Sequence, residues 1–332
     1  HPKTTITMTY LENSKQYTGT DLENIFFRPM LTGPSAQELG VRVLYNMPQP
    51  THIQLWDGQR NILQKFTSAG WAGGAPATKK EKTVNLSRVK AELGFSAADY
   101  FSMVYEKITA MANVNMDDLS GTDLEQAETT LFRQALAENI RATMWIGDTT
   151  ATSGYNTFDG FLKQIKAQVD DEVIYNFTYQ EASLADPAYV VELFDKLWNK
   201  SDLRVQDLKA DGQLAFFVTS DLCHLYEKYL DSKGADAAYT DTVNGRRNLA
   251  YHGIPVIDLR LGGYLAGNSY HQSFGRLTDR RNLVLAVNTA DMPGNEVRMW
   301  YNPDEMENRQ RAVFMAGSQI LDTDLITYAY KP

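Results

Sequence analysis

A long helix with two apolar stripes is the feature that most constrains how this chain can fold. Thr122 and Glu125 form a capping box at its start, and Gly147 supplies a stop at its end. A helix over residues 122–146 spans roughly 35 Å at ~1.5 Å per residue. One stripe recurs at every fourth position and a second lies further round the helix: Phe132, Leu136, Ile140 and Met144, then Leu131, Ala135 and Ala142. Because it is apolar on more than one side, we predict a central axis packed against several elements.

The chain before this helix contains two segments that lack a core of their own. Residues 1–40 are polar, carry glycine and proline breakers and show no sustained periodicity, which predicts an extended arm. Residues 41–95 contain the strand-like segments VRVLYN, THIQLW and KTVNLSRVKAELGF, and the last two flank the glycine- and alanine-rich segment GWAGGAPAT. This pattern predicts a long two-stranded excursion. Because an isolated two-stranded ribbon is only marginally stable in water, we expect it to lie on another surface.

Short helices and strands alternate after the long helix and a glycine-rich turn. Asp186 and Pro187 predict the start of a helix over 187–200, as its N-cap and its first helical residue. The buried-type strand LAFFVT leads through Ser220 into a helix that Gly234 stops, and IPVIDLRL supplies a further strand. This alternation predicts a compact α/β layer domain.

The C-terminal part of the chain is rich in predicted strands. Four segments have strand character: NLVLAVN (282–288), NEVRMWY (295–301), RAVFMAGSQIL (311–321) and DLITYAY (324–330). The two middle segments flank the polar turn NPDEMENRQ and predict a long hairpin. Together with the helices, these strands place the chain in the α+β class.

Composition and charge argue against several classes of function. The chain has 332 residues, of which 43% are hydrophobic and 22% charged, as in a folded protein of two domains or one elaborated domain. Its formal net charge of −9 argues against a nucleic-acid binder, which normally carries a basic face. Its one cysteine, Cys223, excludes an intrachain disulfide. No apolar run approaches the ~18 residues that a membrane helix requires.

The sequence carries none of the standard catalytic motifs. HExxH, GxGxxG, GxxxxGK(S/T) and GxSxG are all absent, and the five histidines are too dispersed to form a metal site. Cys223 and His224 are adjacent, so on a helix their side chains diverge and cannot act as a nucleophile–base pair. His252 lies at a turn that leads into a strand. We therefore expect no catalytic residue, no metal and no cofactor.

The order of these segments resembles the major capsid protein of tailed bacteriophages, whose fold is named after phage Hong Kong 97. That family has an extended arm, a long two-stranded loop, a spine helix, a glycine-rich turn, an α/β domain and a long hairpin, in this order. The resemblance covers about residues 25–330, and it rests on the order of its motifs more than on any single one. The strings that carry it are ALAENIRATMWIGDTT (135–150), FDGFLKQI (158–165), LAFFVTSDLCHLYEKYLDSKG (214–234), NGRRNLAYHGIPVIDLR (244–260) and NLVLAVNTADMPGN (282–295).

The resemblance implies an α+β, Hong Kong 97-type capsid fold with four parts. They are an N-terminal arm at 1–40, an extended loop at 41–95, a peripheral domain at 96–160 and 282–319 with the spine helix at 122–146, and an α/β axial domain at 161–281 and 320–332. Axial domains would meet at the capsomer centres, and peripheral domains at three-fold contacts. The arm and the loop would reach over neighbouring subunits and gain there the apolar burial, at ~25 cal/mol per Å², that they lack alone.

The resemblance also implies a structural protein rather than an enzyme. Such a chain assembles with itself as hexamers and pentamers into an icosahedral phage head. The head encloses double-stranded DNA without sequence-specific binding, and an acidic inner wall keeps the DNA from adhering. Further partners implied are a portal, a scaffold or maturation protease and decoration proteins. The implied location is the virion, assembled in the cytoplasm of the bacterial host, with no membrane. On this hypothesis His1 is an end left by the maturation protease.

Some relatives join a lysine of the extended loop to an asparagine of a neighbour, helped by a glutamate. By this likeness, the loop lysines and the polar residues of the hairpin turn form an expected assembly interface, together with the loop tip. Its members are Trp71, Gly73, Gly74, Lys79, Lys80, Lys82, Asn302, Glu305 and Glu307.

Two other interpretations stay open at this stage. An encapsulin-type nanocompartment shell shares the fold but encloses an enzyme cargo, so the contents of the particle distinguish it. A soluble α/β enzyme with an unrecognised site would be a monomer or dimer, which size-exclusion chromatography distinguishes from a shell.

Overall fold

A computed structural model describes residues 15–18, 41–45, 51–56, 79–96, 123–170, 174–234, 240–241, 246–247, 249–288, 296–305 and 307–332. The helices are α1 (Asp123–Ile146), α2 (Phe161–Asp170), α3 (Tyr189–Lys200), α4 (Leu203–Asp207), α5 (Ser220–Ser232) and α6 (Gly262–Leu265). The strands are β1 (Lys15–Tyr17), β2 (Arg42–Tyr45), β3 (Thr51–Trp56), β4 (Lys79–Val84), β5 (Ser87–Ser96), β6 (Tyr175–Thr178), β7 (Leu214–Val218), β8 (Thr240–Asp241), β9 (Arg246–Arg247), β10 (Ala250–Tyr251), β11 (Ile254–Asp258), β12 (Phe274–Asp279), β13 (Leu283–Asn288), β14 (Glu296–Asn302), β15 (Glu307–Ile320) and β16 (Thr327–Tyr330). Short 3-10 segments lie at Glu181–Ala185, Leu208–Asp211, Arg280–Asn282 and Thr323–Leu325.

Helix α1 is the axis that the sequence predicts. Its observed bounds, Asp123–Ile146, agree with the predicted 122–146. Phe132, Leu136, Ile140 and Met144, the first predicted stripe, are all buried in the main core. That core also contains residues of α2 and of both large sheets, so α1 packs against several elements.

The end of α1 depends on glycine for a reason that the sequence does not show. Gly147 does not have the positive φ of a left-handed cap. The Gly147 backbone instead lies in close contact with the backbone at Phe158. A Cβ atom on Gly147 would lie only 2.2 Å from the carbonyl oxygen of Phe158. A Cβ atom on Gly160 would lie 2.7 Å from the Gly147 nitrogen. Glycine is required at both positions because two backbone segments touch.

The first large sheet has six strands, in the order β1-β14-β15-β13-β2, with β5 also paired to β15. The predicted hairpin is present as the antiparallel pair β14–β15. Strand β15 begins at Glu307 rather than at Arg311, because Asn308 and Gln310 of the predicted polar turn are buried within the sheet. Polarity alone therefore misplaces the start of this strand. The opposite edge of β15 pairs with β5 from Glu307 to Ala316.

The predicted two-stranded ribbon is also present, as the antiparallel pair β3–β4. The predicted continuous strand KTVNLSRVKAELGF is broken at Asn85–Leu86, between β4 and β5. The chain crosses β15 there, since the Asn85 carbonyl oxygen would lie 2.2 Å from a Cβ atom on Gly317. Val84, Leu86 and Ala286 form a small buried cluster at this crossing. The base of the ribbon is therefore packed against the first large sheet of the same subunit.

The second large sheet also has six strands, in the order β10-β11-β7-β12-β16-β6. Strands β7 and β11 are parallel, as are β16 and β6, whereas β12 is antiparallel to both of its neighbours. Helices α3 and α5 pack on one face through a second hydrophobic cluster, and α1 and α2 share the main core with the other face. Helices with mixed sheets confirm the predicted α+β class.

Two turns beside the second sheet agree with the sequence analysis. Gly234, just after α5, has a φ of 66°, as a left-handed helix stop requires. His252 and Gly253, with φ of 48° and 79°, form the two-residue turn between the antiparallel strands β10 and β11. His252 therefore lies at a turn that leads into a strand, as predicted.

The start of α3 differs from the prediction. The helix begins at Tyr189 rather than at Pro187. Asp186 Oδ1 accepts a hydrogen bond from the Ala188 backbone N–H at 3.0 Å, so its side chain holds the turn before the helix. Asp186 and Pro187 therefore mark the correct position in the chain, and the predicted helix start is two residues too early.

Candidate assembly surface

The structure places the predicted loop residues on the ribbon and at its base. Trp71, Gly73 and Gly74 lie outside the described residues. Lys79 and Lys80 lie on β4, opposite Trp56 and Leu55 of β3. Lys82 lies on the same strand, and its side chain lines a cleft of about 260 Å³. The other walls of this cleft belong to α2 and to the last residues of β15.

The predicted hairpin residues form an ion-paired cluster around the β14–β15 turn. Arg309 Nη2 donates to Glu305 Oε2 at 2.6 Å, and Arg309 Nε donates to Glu307 Oε1 at 2.8 Å. The hydrogen bond to Glu307 raises the pKa of Arg309. Asn302 Oδ1 accepts from the Asp304 N–H at 3.2 Å, and the Glu307 carboxylate lies against Gly94 of β5. These contacts fix the geometry of the turn.

The two predicted groups lie at opposite ends of β15. Lys82 shares its cleft with Gln319 and Ile320, whereas Asn302 is paired with Glu307 at the start of the strand. At ~3.3 Å per residue, the length of β15 separates these ends by roughly 40 Å. Lys82 and Asn302 of one chain are therefore far apart, and a contact between these two residues requires two copies.

A groove that the sequence analysis missed lies between α1, β5 and the turn at 154–158. Its volume is about 480 Å³. Its walls are mainly apolar, and its members include Val89, Leu93, Phe132, Leu136, Phe158 and Phe314. Leu93 at its edge is 38% exposed. The groove could not be recognised in the sequence, because its walls come from separate elements. In the sequence, each of these elements shows only an ordinary apolar face.

Strand β5 gives this groove an open edge. It pairs with β15 along one side, and among the strands that the structure describes no other pairs with it. An unpaired edge offers backbone N–H and C=O groups to an added strand. Polar side chains of the adjoining helix are satisfied within it, since Asn139 donates to the Ala135 carbonyl and Thr143 donates to the Asn139 carbonyl. The groove thus suits an extended, partly apolar segment rather than a charged ligand.

The one cysteine of the chain lies buried on α5, against the second sheet. Burial raises the pKa of the Cys223 thiol to about 12, so it is protonated at neutral pH. Asp221 accepts hydrogen bonds from Thr219 and Ser273, and Ser273 is bonded in turn to Tyr179. This network joins the start of α5 to the segment that leads into β12.

The described part of the chain has neither a metal-binding cluster of side chains nor a membrane-spanning helix. No group of three or more histidine, cysteine or carboxylate side chains is placed to hold a metal ion there. No helix in that part of the chain is both long and apolar enough to cross a membrane.

Comparison with known proteins gives matches in structure alone. No protein-family model matches the chain, and no curated protein matches it. The chain is similar to one in the satellite phage P4 procapsid that includes the size determination (Sid) protein, with a TM-score of 0.54 and 10% identity over 92% of this chain and 97% of that chain. It is also similar to a chain of the bacteriophage PhiM1 mature capsid (TM-score 0.47, 9% identity, 88% and 86% covered) and to one of a native GTA particle capsid (0.44, 13%, 90% and 89%). The first of these shows that the chain has a fold found in a phage procapsid.

Proposed function

We propose that this chain is a structural capsid protein that assembles as hexamers and pentamers into an icosahedral shell around double-stranded DNA. The observation that carries the proposal is the fold shared with a procapsid chain over 92% of this sequence. In this role the chain is a component of the virion and not an enzyme. A portal, a scaffold or maturation protease and decoration proteins are partners that the same proposal includes.

The ribbon and the groove supply a physical reason for assembly. In the described part of the chain, β3 and β4 pair with each other alone, and a two-stranded ribbon is marginal in water. The groove beside β5 offers about 480 Å³ of mainly apolar space and an open strand edge. We propose that the ribbon of one copy covers the groove of the next. Because the two surfaces differ, such a contact is head-to-tail, and it generates a ring where the rotation between successive copies closes.

The domain organisation proposed for the chain follows its path between the two sheets. The chain leaves the second sheet after β12 and enters the first at β13, then returns to the second between β15 and β16. These two crossings support a peripheral domain at 96–160 and 282–319 and an axial domain at 161–281 and 320–332. In the proposed shell, axial domains surround the centre of each capsomer.

The negative net charge of the subunit favours DNA that is enclosed by the shell over DNA that is bound to its wall. At −9, the subunit repels phosphate on average, so DNA inside the shell packs without adhering. The alternative of an encapsulin-type shell makes a different prediction about the contents. Nuclease-protected double-stranded DNA in purified particles supports the capsid, and a co-purifying protein cargo without DNA supports the nanocompartment.

An isopeptide bond between Lys82, or its neighbours Lys79 and Lys80, and Asn302 of another copy is a separate proposal. The lysine amine would attack the side-chain carbonyl carbon of Asn302, and the carboxamide nitrogen would leave as ammonia. The ion-paired Glu305 and Glu307 lie beside Asn302, at the opposite end of β15 from Lys82. Denaturing electrophoresis of assembled particles tests it. Bands above the monomer support the bond, and a clean monomer band contradicts it.

A charge placed in the groove tests the proposed assembly. Leu93→Asp puts a carboxylate at a partly exposed edge of the groove, so the subunit should stay folded, with its free energy of unfolding lowered by about 1 kcal/mol. Particle yield by electron microscopy and size-exclusion chromatography should fall sharply, because the ribbon would have to bury that charge. Gln213→Asp adds the same charge at an exposed position outside the groove and should assemble normally. A wild-type chain that stays monomeric or dimeric at high concentration would overturn the proposed function.

A further inference from the structure

An aromatic pocket on the second sheet takes no part in the proposed assembly. It has a volume of about 290 Å³. Its base is formed by Phe216 of β7 and Ile254 of β11, which are both buried. Trp198 of α3 forms one part of its wall, and Tyr251 and His252 form another. Ligand pockets range upward from ~300 Å³, so this pocket is of a size for a ligand that consists of one ring.

Contacts with neighbouring side chains hold the Tyr251 ring in place. Its centre lies 5.5 Å from that of the Phe194 ring and 6.1 Å from that of the Phe216 ring. The Tyr251 hydroxyl donates to the Asp195 carboxylate. The His252 ring lies 4.4 Å from the Tyr251 ring, at an angle of 77° to it. The wall is therefore preformed, and binding of a ligand requires little further ordering of these side chains.

The pocket also carries one carboxylate and one ammonium group. Asp195 is the carboxylate, and the Lys209 ammonium lies 5.3 Å from the centre of the Trp198 ring. Because the pocket carries both signs, one of these groups would repel a ligand that has a single charge. Both residues are exposed, so an ion pair between either of them and a ligand would contribute little to binding. The pocket therefore favours a neutral ligand that packs on the rings.

We infer that this pocket binds one hexopyranose unit of a glycan. A pyranose ring presents a face of C–H groups, which packs on the electron-rich faces of aromatic rings such as Trp198 and Tyr251. Each of its hydroxyls is one donor and two acceptors, so the sugar donates to Asp195 and accepts from Lys209 without a charge of its own. The inference goes beyond the proposed function and concerns a site within one subunit.

Saturation-transfer NMR of the full chain, as subunits or as particles, tests this inference. The probes are the methyl pyranosides of glucose, galactose and mannose, since a methyl glycoside represents a sugar unit joined in a chain. Cyclohexanol and L-phenylalanine are the controls, as an apolar ring and a zwitterion of similar size. The ring protons of at least one pyranoside should receive saturation from the protein, more strongly than those of either control.

Two substitutions locate the binding in the pocket. Asp195→Asn removes the charge but keeps an oxygen that accepts from Tyr251, and it should raise the Kd of the pyranoside about fivefold. His252→Asn removes a ring from the wall and should raise that Kd about threefold. Asparagine readily adopts the φ of 48° found at His252, so the turn should be kept. Asp170→Asn, at an exposed position of α2 outside the pocket, is the matched control and should leave the Kd unchanged.

The outcomes separate this inference from the proposed function. Weaker binding in either pocket variant, with Asp170→Asn unchanged, supports the inference. Absence of saturation for every pyranoside overturns it, and so does binding that both pocket variants leave unchanged, because the sugar would then lie elsewhere. Saturation of cyclohexanol or L-phenylalanine that equals or exceeds that of every pyranoside overturns it in favour of an apolar or zwitterionic ligand. A wild-type chain that forms no particles overturns the proposed function instead.

Discussion

At the scale of the single residue, Arg276 is the side chain whose surroundings are hardest to reconcile with stability. It is fully buried on β12, with its guanidinium 4.3 Å from the Trp145 ring and 5.0 Å from the Phe217 ring. Within the described residues no oxygen accepts a hydrogen bond from it. Burial lowers the pKa of Arg276 to about 9. The contacts with the two rings stabilise the charge by about 2 kcal/mol, whereas burying an unpaired charge costs several kcal/mol.

Replacing this charge should stabilise the subunit. We expect Arg276→Met to raise the free energy of unfolding of the unassembled subunit by about 1–2 kcal/mol at neutral pH, because an apolar side chain of similar length removes the desolvation cost. A base with a lowered folded-state pKa destabilises the fold below that pKa, and the penalty fades as pH rises through it. The advantage of Arg276→Met should therefore shrink above about pH 9 in urea unfolding.

Arg276→Lys is the matched control for this substitution. It keeps a positive charge at the same buried position but lacks the flat guanidinium that stacks on Trp145. The Lys variant should therefore be less stable than the wild type. A Met variant that is less stable than the wild type would show that the guanidinium has acceptors and is not an unpaired charge.

At the scale of the element, the junction after α1 is held by a backbone crossing. Gly147 N donates to the Thr143 carbonyl at 2.8 Å, and Gly160 N donates to the Gly147 carbonyl at 2.8 Å. The two glycines join the helix end to the start of α2. They determine the direction in which the chain leaves the axis of the molecule.

A methyl group at this crossing should destabilise the fold. A Cβ atom on Gly160 would lie 2.7 Å from the carbonyl oxygens of Thr143 and Trp145, so Gly160→Ala should lower the free energy of unfolding by about 1–3 kcal/mol. Gly262→Ala is the control, since a Cβ atom there meets nothing within 4 Å. It should be neutral or slightly stabilising in thermal unfolding. If Gly160→Ala and Gly262→Ala changed the free energy of unfolding equally, the close backbone contact at Gly160 would be contradicted.

Element by element, the sequence predicts what depends on a segment's own faces. The bounds of α1, the ribbon, the hairpin and the stop at Gly234 follow from periodicity and turn chemistry, and the structure has them. The break at Asn85 does not, because it depends on Gly317, far along the chain. The groove beside β5 is missed for the same reason. Its walls come from separate elements, and each wall alone resembles an ordinary core-facing surface.

At the scale of the whole molecule, one core joins both sheets to the central helix. Residues of α1, α2 and the inner faces of both sheets belong to a single hydrophobic cluster. Arg141 of α1 adds a polar link, because its guanidinium donates to the carbonyl of Leu259 at 2.9 Å, beyond the end of β11. A subunit held together in this way should fold before it meets another copy, and its extended parts then serve assembly.

Removal of residues 1–20 tests this division between folding and assembly. The deletion removes β1, a three-residue edge strand that pairs with β14 and whose Gln16 donates to Glu296. Since Gln16, the β1 residue whose side chain is described, is exposed, the unassembled subunit should lose no more than about 1 kcal/mol in chemical unfolding. Particles should be fewer and should dissociate at lower denaturant, because the arm no longer gains burial on a neighbour. Gln16→Ala removes the contact with Glu296 while keeping the arm, and it should assemble as the wild type does. Fully stable particles from the shortened chain would show that the arm has no part in holding copies together.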